Sequence, residues 1–139
     1  MITICRISHS VFAALFAAPC LSGCHPLTNA EKVIGHWHGT SRTGSTSALA
    51  DWQFRRDGMD TLTLTLPQGR LIAEGTWSLR GGVLTQHTTN RAAEIAGQQK
   101  KVVLVTPMET IYQYTLARDR LTLTRLEASE TVVLTRYVK

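Results

Sequence analysis

Residues 61–66 alternate strictly between threonine and leucine. Side chains of a β-strand point to opposite faces in turn, so this order puts the three leucines on one face and the three threonines on the other. The same residues on a helix would be spread around its circumference. The segment therefore predicts a strand with one face in a core and the other in solvent, which is typical of an antiparallel sheet.

Strand-like segments recur along the chain, and short turn signals such as Asp57-Gly58 and Gly81-Gly82 separate them. The predicted strands are 33–40, 48–56, 61–66, 71–79, 83–89, 110–116, 121–126 and 131–138, and 101–105 is a candidate for one more. Residues 91–97 are predicted to form the one helix-like stretch in the middle of the chain, or else a long loop. About eight strands with hairpin-length connections favour an all-β fold, an antiparallel meander forming a barrel or a sandwich.

The first 24 residues have the parts of a secretory signal: Arg6, an apolar run over 11–18, and small residues before Cys24. The apolar run is far shorter than the roughly 20 residues that cross a bilayer. The sequence Leu21-Ser22-Gly23-Cys24 resembles the lipobox of bacterial lipoproteins, in which a signal peptidase cuts before the cysteine. The resemblance implies that residues 1–23 are removed and that Cys24 carries acyl chains such as palmitate. An ordinary thiol is the alternative for Cys24.

The residue after Cys24 is His25, where an Asp would resemble an inner-membrane retention signal of enterobacterial lipoproteins. We therefore expect a lipid anchor in the outer membrane, with the protein facing the periplasm, and two or three acyl chains suffice for stable anchoring. Residues 24–32 are predicted to be the lipidated cysteine and a short tether. Within it, Thr28-Asn29-Ala30-Glu31 has the form of a capping box and predicts a single helical turn before the domain at 33–139.

The composition narrows the chemistry of the domain. All three cysteines (Cys5, Cys20 and Cys24) lie in or at the end of the signal, so the 115 residues after Cys24 hold no thiol for a disulfide, a zinc–thiolate site or a cysteine nucleophile. Fourteen basic residues against ten acidic ones are scattered along this domain. Scattered charge is typical of a solvated surface, with attraction to anionic lipid headgroups, cell-wall polymers or acidic partners as the alternative. Nucleic-acid binding is not expected in this compartment.

Gly35-His36-Trp37, at the start of the first strand, resembles the Gly-x-Trp signature of lipocalins and related calycins. The resemblance extends in layout over residues 28–139 and implies a small lipocalin-like barrel. In that family the Trp closes one end of the barrel and an Arg from the last strands packs across it. Arg125 and Arg136 are the two candidates for that Arg here, and such an indole–guanidinium pair contributes about 0.5–2 kcal/mol.

No arrangement of residues indicates catalysis or a bound metal. His36 and His38 share a strand face opposite Trp37, which favours solvent exposure over a metal site. The acidic residues show no spacing that pairs two carboxylates, and neither a Gly-x-Ser-x-Gly elbow nor a phosphate-binding glycine loop is present. We therefore expect no enzyme activity, no catalytic residue, no metal and no cofactor.

Aromatic residues that point inward at a barrel mouth are the candidates for ligand contact, since they offer apolar area with a polar group. They are Trp52, Phe54, Trp77, Tyr112 and Tyr114. The alternative is that these side chains only fill the core. The first predicts a module that binds a small hydrophobic or amphipathic ligand, or a lipid, at the cell envelope. The second predicts a protein-interaction lipoprotein, such as an assembly subunit, an inhibitor or an immunity factor, with a filled barrel.

Overall fold

The computed structural model describes residues 27–138, apart from the side chains of residues 102–105. The lipobox and Cys24 lie outside the described residues. The elements are α1 (Asn29–Val33), β1 (Gly35–Thr43), β2 (Thr46–Phe54), β3 (Met59–Leu66), β4 (Gly69–Arg80), β5 (Val83–Ile95), β6 (Gln98–Ala117), β7 (Arg120–Arg125) and β8 (Glu130–Arg136). Each strand pairs antiparallel with the next, and β1 pairs with β8, so the sheet forms a closed barrel. The predicted all-β antiparallel meander is confirmed, and its closure is consistent with a lipocalin-like fold.

The predicted helical turn is α1, and it begins with the predicted capping box. The backbone N–H of Glu31 donates to the Thr28 hydroxyl at 3.2 Å, and the Thr28 N–H donates to the Glu31 carboxylate at 2.8 Å. Val33 ends this helix and is fully buried, so α1 packs against one end of the barrel. The first strand therefore begins at Gly35, two residues later than predicted. No helix in the described part of the chain is both long and apolar enough to cross a membrane.

The prediction for residues 91–97 was wrong, because this stretch ends β5 and turns into β6. Ala96 and Gly97 form the turn with φ values of 52° and 78°. Arg91 and Ala93 pair with Ala73 and Leu71 on β4. Pairing along both edges of β5 outweighs the local helix propensity of its alanines. For the same reason, the strands predicted at 101–105 and 110–116 are parts of one long strand, β6.

Two irregularities bend the long strands at the same level of the barrel. One lies between Glu74 and Gly75 in the β4–β5 pairing, and the other lies where Thr89 of β5 faces residues 104–107 of β6. Pro107 has no N–H to donate to the ladder, which accounts for the second break. At Gly75 a Cβ atom would lie 1.8 Å from the carbonyl oxygen of His87, so the first break requires glycine. Such bulges bend strands, and the β5–β6 hairpin extends beyond the part of β6 that pairs with β7.

The side chains that fill the barrel are concentrated toward the end that α1 covers. We call this the closed end; it also carries the β2–β3, β4–β5 and β6–β7 turns, and the opposite end is the open end. Trp52 stacks on Phe54 with ring centroids 4.9 Å apart, and Phe54 contacts Trp77 edge-on at 5.2 Å. The buried apolar residues are Val33, Trp37, Ala50, Trp52, Phe54, Leu62, Leu84, Tyr112, Leu121, Leu123, Val132 and Leu134.

Candidate binding cavity

The closed end is sealed by Trp37 and Arg136, which face each other in the pairing of β1 with β8. The Trp37 ring is fully buried, and the Arg136 guanidinium carbon lies 4.3 Å from the ring centroid. Trp37 Nε1 donates to the carbonyl of Val33 at 2.8 Å, and Arg136 Nη1 donates to the carbonyl of Ile34 at 3.0 Å. Arg136 Nη2 donates to the Lys32 carbonyl. These contacts fix α1 across the end of the barrel.

Arg125, the other candidate for this pairing, lies elsewhere. It is near the open end, where its Nη1 is 3.6 Å from Glu130 Oε2 and it lines an interior cavity. It belongs to β7, and its pairing with Tyr112 places it several residues along the barrel from Trp37. Of the two arginines named from the sequence, Arg136 is the one that packs on the tryptophan.

The cavity occupies the open half of the barrel and has a volume of about 430 Å³. Pockets for small molecules commonly measure about 300–1,000 Å³, so its size is in that range. Its wall on β3 and β4 is apolar and consists of Leu62, Leu64, Leu71 and Ala73. In the β3–β4 pairing Leu62 faces Ala73 and Leu64 faces Leu71, which makes this wall continuous. The strict alternation of residues 61–66 therefore provides two of the four residues of this wall, Leu62 and Leu64.

The wall on β5 and β6 carries polar groups. Gln86, Thr88, Thr110 and Tyr112 line it, together with Met108. All four polar residues are at most 5% exposed. Burying polar groups is costly unless they are hydrogen-bonded, so a wall of this kind favours a ligand that brings polar atoms of its own. The cavity thus has one apolar wall and one polar wall.

Asp60 of β3 points into the barrel, where it contacts Gln86 of the polar wall, and it is 1% exposed. Its Oδ2 accepts hydrogen bonds from Trp52 Nε1 at 2.9 Å and from Gln86 Nε2 at 2.6 Å. Its Oδ1 has no hydrogen-bond partner in the described part of the chain. Burial raises the pKa of Asp60, because desolvation outweighs the two hydrogen bonds and the charge of Arg55. The bond to Asp60 holds Gln86 in a fixed position at the cavity surface.

A second polar group closes the cavity on the β7–β8 side. Ser41 Oγ donates to Glu130 Oε1 at 3.1 Å, and Arg125 pairs with the other oxygen of that carboxylate. Tyr112 is 3% exposed, and burial together with the charge of Glu130 raises the pKa of its hydroxyl. Its phenol therefore stays protonated at neutral pH, where it is able to donate a hydrogen bond to a ligand.

The five aromatic residues named as ligand contacts are divided by the structure. Tyr112 lines the cavity, whereas Trp52 and Phe54 lie in the core toward the closed end. Trp77 packs on Phe54 and donates from Nε1 to the carbonyl of Arg55 at 3.1 Å, and Tyr114 packs against the core. The other four aromatics are therefore outside the cavity lining. Trp52, Phe54 and Trp77 contact one another in the core, and this packing buries the large apolar area of their rings.

Most of the cavity lining, including its leucines, alanines and threonines, was missed at the sequence level, and so was Asp60, which bonds to Gln86 of the lining. Asp60 could have been found, since it has the same parity as Leu62 and Leu64 on β3 and must point inward with them. Gln86 and Thr88 share the parity of Leu84 on β5 in the same way. The alternation itself was the signal, and it marks polar as well as apolar inward positions.

The three histidines of the described residues, His36, His38 and His87, lie on the outside of the barrel. His36 Nε2 is 2.6 Å from Asp51 Oδ1, and His87 Nδ1 is 3.7 Å from Glu109 Oε2. Within residues 27–138, no three His, Cys, Asp or Glu side chains form a group that could hold a metal ion. Both contacts lie at the surface, where such pairs contribute little to stability.

Comparison with protein-family models, with curated proteins and with solved structures finds no match to this chain.

Proposed function

We propose that this protein binds one small amphipathic molecule in the cavity at the open end of its barrel. The observation that carries the proposal is the division of the cavity into the apolar wall around Leu64 and Ala73 and the polar wall around Gln86 and Tyr112. A purely apolar ligand would offer no partner to the polar atoms that face the cavity, at about 1–3 kcal/mol for each one that has no other hydrogen bond. A purely polar ligand would gain nothing from the leucines, whose burial contributes about 25 cal/mol per Å².

The barrel architecture supports a fixed cavity rather than one formed on binding. Both walls consist of paired strands, and the Asp60–Gln86 and Glu130–Arg125 contacts orient side chains around the cavity. A site on rigid elements loses little conformational entropy when a ligand binds. We accordingly propose a carrier or sensor of a small molecule, without catalysis.

A protein-interaction role is the second candidate, and exposed apolar side chains support it. Leu49, Ile95 and Leu126 are each more than half exposed and lie toward the open end. Exposed apolar groups that cluster together are typical of contact surfaces. A protein partner at this end would cover the cavity mouth, so the two roles are compatible if the partner receives or delivers the ligand.

We further propose that the protein is a lipoprotein anchored through Cys24, which would set the direction in which the cavity opens. Leu27 and α1 lie at the closed end, near Leu116 and Arg118. An anchor three residues before Leu27 would bring the closed end toward the membrane. The turns of this end also carry exposed basic side chains suited to anionic headgroups, namely Arg55, Arg56, Arg80, Arg118 and Arg120. In this arrangement the cavity mouth faces away from the bilayer, so ligand exchange occurs on the aqueous side.

To test the binding proposal, the purified protein is titrated with fatty acids and lysophospholipids, and its tryptophan fluorescence is recorded at each addition. Trp52 contacts Tyr112 of the cavity wall at a ring distance of 5.6 Å and bonds to Asp60, so its emission should respond to occupancy. We expect a saturable change. If no member of either class changes the emission or displaces a bound fluorescent fatty acid, the carrier proposal is wrong.

A further inference from the structure

Two positively charged side chains line the mouth of the cavity, and the described part of the chain places no carboxylate in ion-pair contact with either. Lys100 of β6 pairs with Ala93 of β5, and Arg91 precedes Ala93 by two residues. Residues two apart on a strand share a face, so Arg91, Ala93 and Lys100 all belong to the face that lines the cavity. Arg91 and Lys100 are thus diagonal neighbours across the β5–β6 hairpin.

The acidic side chains nearby form no ion pair with these two cations; Glu74, which borders the same outer groove as Arg91, is not within ion-pair distance of it. Glu94 pairs with Arg70 on the outer face, and Glu130 pairs with Arg125. Arg91 Nη2 instead approaches the sulfur of Met108 at 3.2 Å. Within residues 27–138, no carboxylate lies within ion-pair distance of Arg91 or Lys100.

Like charges at diagonal positions on one face of a hairpin repel each other, because the two positions lie only about 7–8 Å apart. Arg125, a third cation of the lining, is paired with a carboxylate of the protein itself, Glu130. Arg91 and Lys100 lack such a carboxylate in the described part of the chain, and they lie at the end of the apolar wall where Leu71 is 45% exposed. An anionic group brought by a ligand would supply the missing negative charge at this point.

We infer that the ligand carries an anionic headgroup, a carboxylate or a phosphate, which Arg91 and Lys100 bind at the mouth while its apolar chain lies along Leu71 and Leu64. This rests on the proposed function and specifies the ligand class. The guanidinium of Arg91 matches the two oxygens of either group, and Lys100 adds a point charge. The polar wall beyond Met108 then contacts polar atoms further along the ligand.

The test compares four compounds with the same twelve-carbon chain: dodecanoate, dodecyl phosphate, dodecanol and dodecylamine. Each displaces a fluorescent fatty acid from the purified protein at low ionic strength, below its critical micelle concentration. We expect at least one of the two anions to bind about tenfold more tightly than dodecanol, or about 1.4 kcal/mol. We expect dodecylamine to bind more weakly than dodecanol. The order of the two anions tells which headgroup the mouth prefers.

The variant Arg91→Gln/Lys100→Gln should reduce the affinity for the anions about tenfold and leave dodecanol unchanged. Lys101→Gln is the matched control, because Lys101 is the next residue on β6, is absent from the cavity lining, and lines with Ile72 and Glu74 a shallow groove that Arg91 also borders. It should keep the preference for anions. Equal binding of acid and alcohol, or a preference that survives the double substitution, would overturn the headgroup inference and leave the carrier proposal standing. If none of the four compounds displaces the probe, both are overturned.

Discussion

Arg136 holds its guanidinium 4.3 Å from the centre of the Trp37 indole ring, although 98 residues separate the two in the sequence. The pairing of the first strand with the last brings them together, so this contact exists only when the barrel is closed. The same guanidinium binds the backbone of α1 through Ile34 and Lys32. The pair therefore joins barrel closure to the docking of the helix.

Replacing Trp37 with alanine should lower the free energy of unfolding by about 3–5 kcal/mol, as other large-to-small core changes do. Arg136→Gln should cost about 1–3 kcal/mol, since it removes hydrogen bonds from a charged donor to the backbone carbonyls of Ile34 and Lys32. The unfolding free energy of each variant is measured by urea denaturation, with circular dichroism as the signal. An unaltered midpoint for Trp37→Ala would show that the indole does not belong to the core.

The buried carboxyl of Asp60 should make stability depend on pH in a defined direction. Burial raises its pKa above the ordinary value of 3.8, so the folded state binds this proton more tightly than the unfolded state. The resulting stabilisation is complete below the unfolded pKa and is lost as the pH rises through the folded pKa. Asp60→Asn should abolish this decrease in stability with pH, because an amide does not ionise. The amide oxygen of the variant can still accept hydrogen bonds from Trp52 and Gln86.

The measurement is the free energy of unfolding of both proteins from about pH 3 to about pH 7. The stability of Asp60→Asn relative to the unsubstituted protein should increase with pH. Glu127→Gln, which changes an exposed carboxyl, controls for the loss of one negative charge. A relative stability of Asp60→Asn that falls with pH would contradict the assignment of Asp60 as a buried acid with a raised pKa.

Gly75→Ala should destabilise the barrel by about 3 kcal/mol, at the upper end of overpacking effects, because the added Cβ would lie 1.8 Å from the His87 carbonyl oxygen. Gly81→Ala is the control. There the Cβ meets nothing within 4 Å, and only the φ of +57° opposes it, at about 1 kcal/mol. Thermal unfolding compares the two. Equal losses would mean that the strands do not approach closely at the bulge.

The alternation of leucine and threonine and the short turn signals predicted the antiparallel order and most of the strands, but they missed the end of β5 at 91–95 and divided β6 in two. The cavity mouth was not predictable in that way. By simple alternation Arg91 would share the outward face of Thr89. The irregularity at Thr89 inserts one residue, which moves every later side chain of β5 to the other face. Arg91 therefore faces the cavity. The position of a bulge depends on pairing across three strands, which the local pattern of β5 does not contain.

The anchor is tested apart from the barrel. If Leu21-Ser22-Gly23-Cys24 is a lipobox, Cys24→Ala should accumulate as an unprocessed precursor and lose labelling by radioactive palmitate. Both are read from one gel of whole cells. Normal processing of the Cys24→Ala protein would sink the lipoprotein proposal and leave the binding proposal intact.

The most direct test of ligand binding within the barrel is isothermal titration calorimetry of the unsubstituted protein and of Ala73→Phe with dodecanoate and dodecanol. Ala73 lies on the apolar wall, so a phenyl ring there should fill the cavity without lowering the unfolding temperature. Thr63→Phe, on the outward face of β3, is the control. We expect one molecule of at least one compound to bind per unsubstituted or Thr63→Phe barrel, and its affinity to fall at least about tenfold in Ala73→Phe. Ala73→Phe that binds as tightly as the unsubstituted protein would contradict a ligand site inside the barrel.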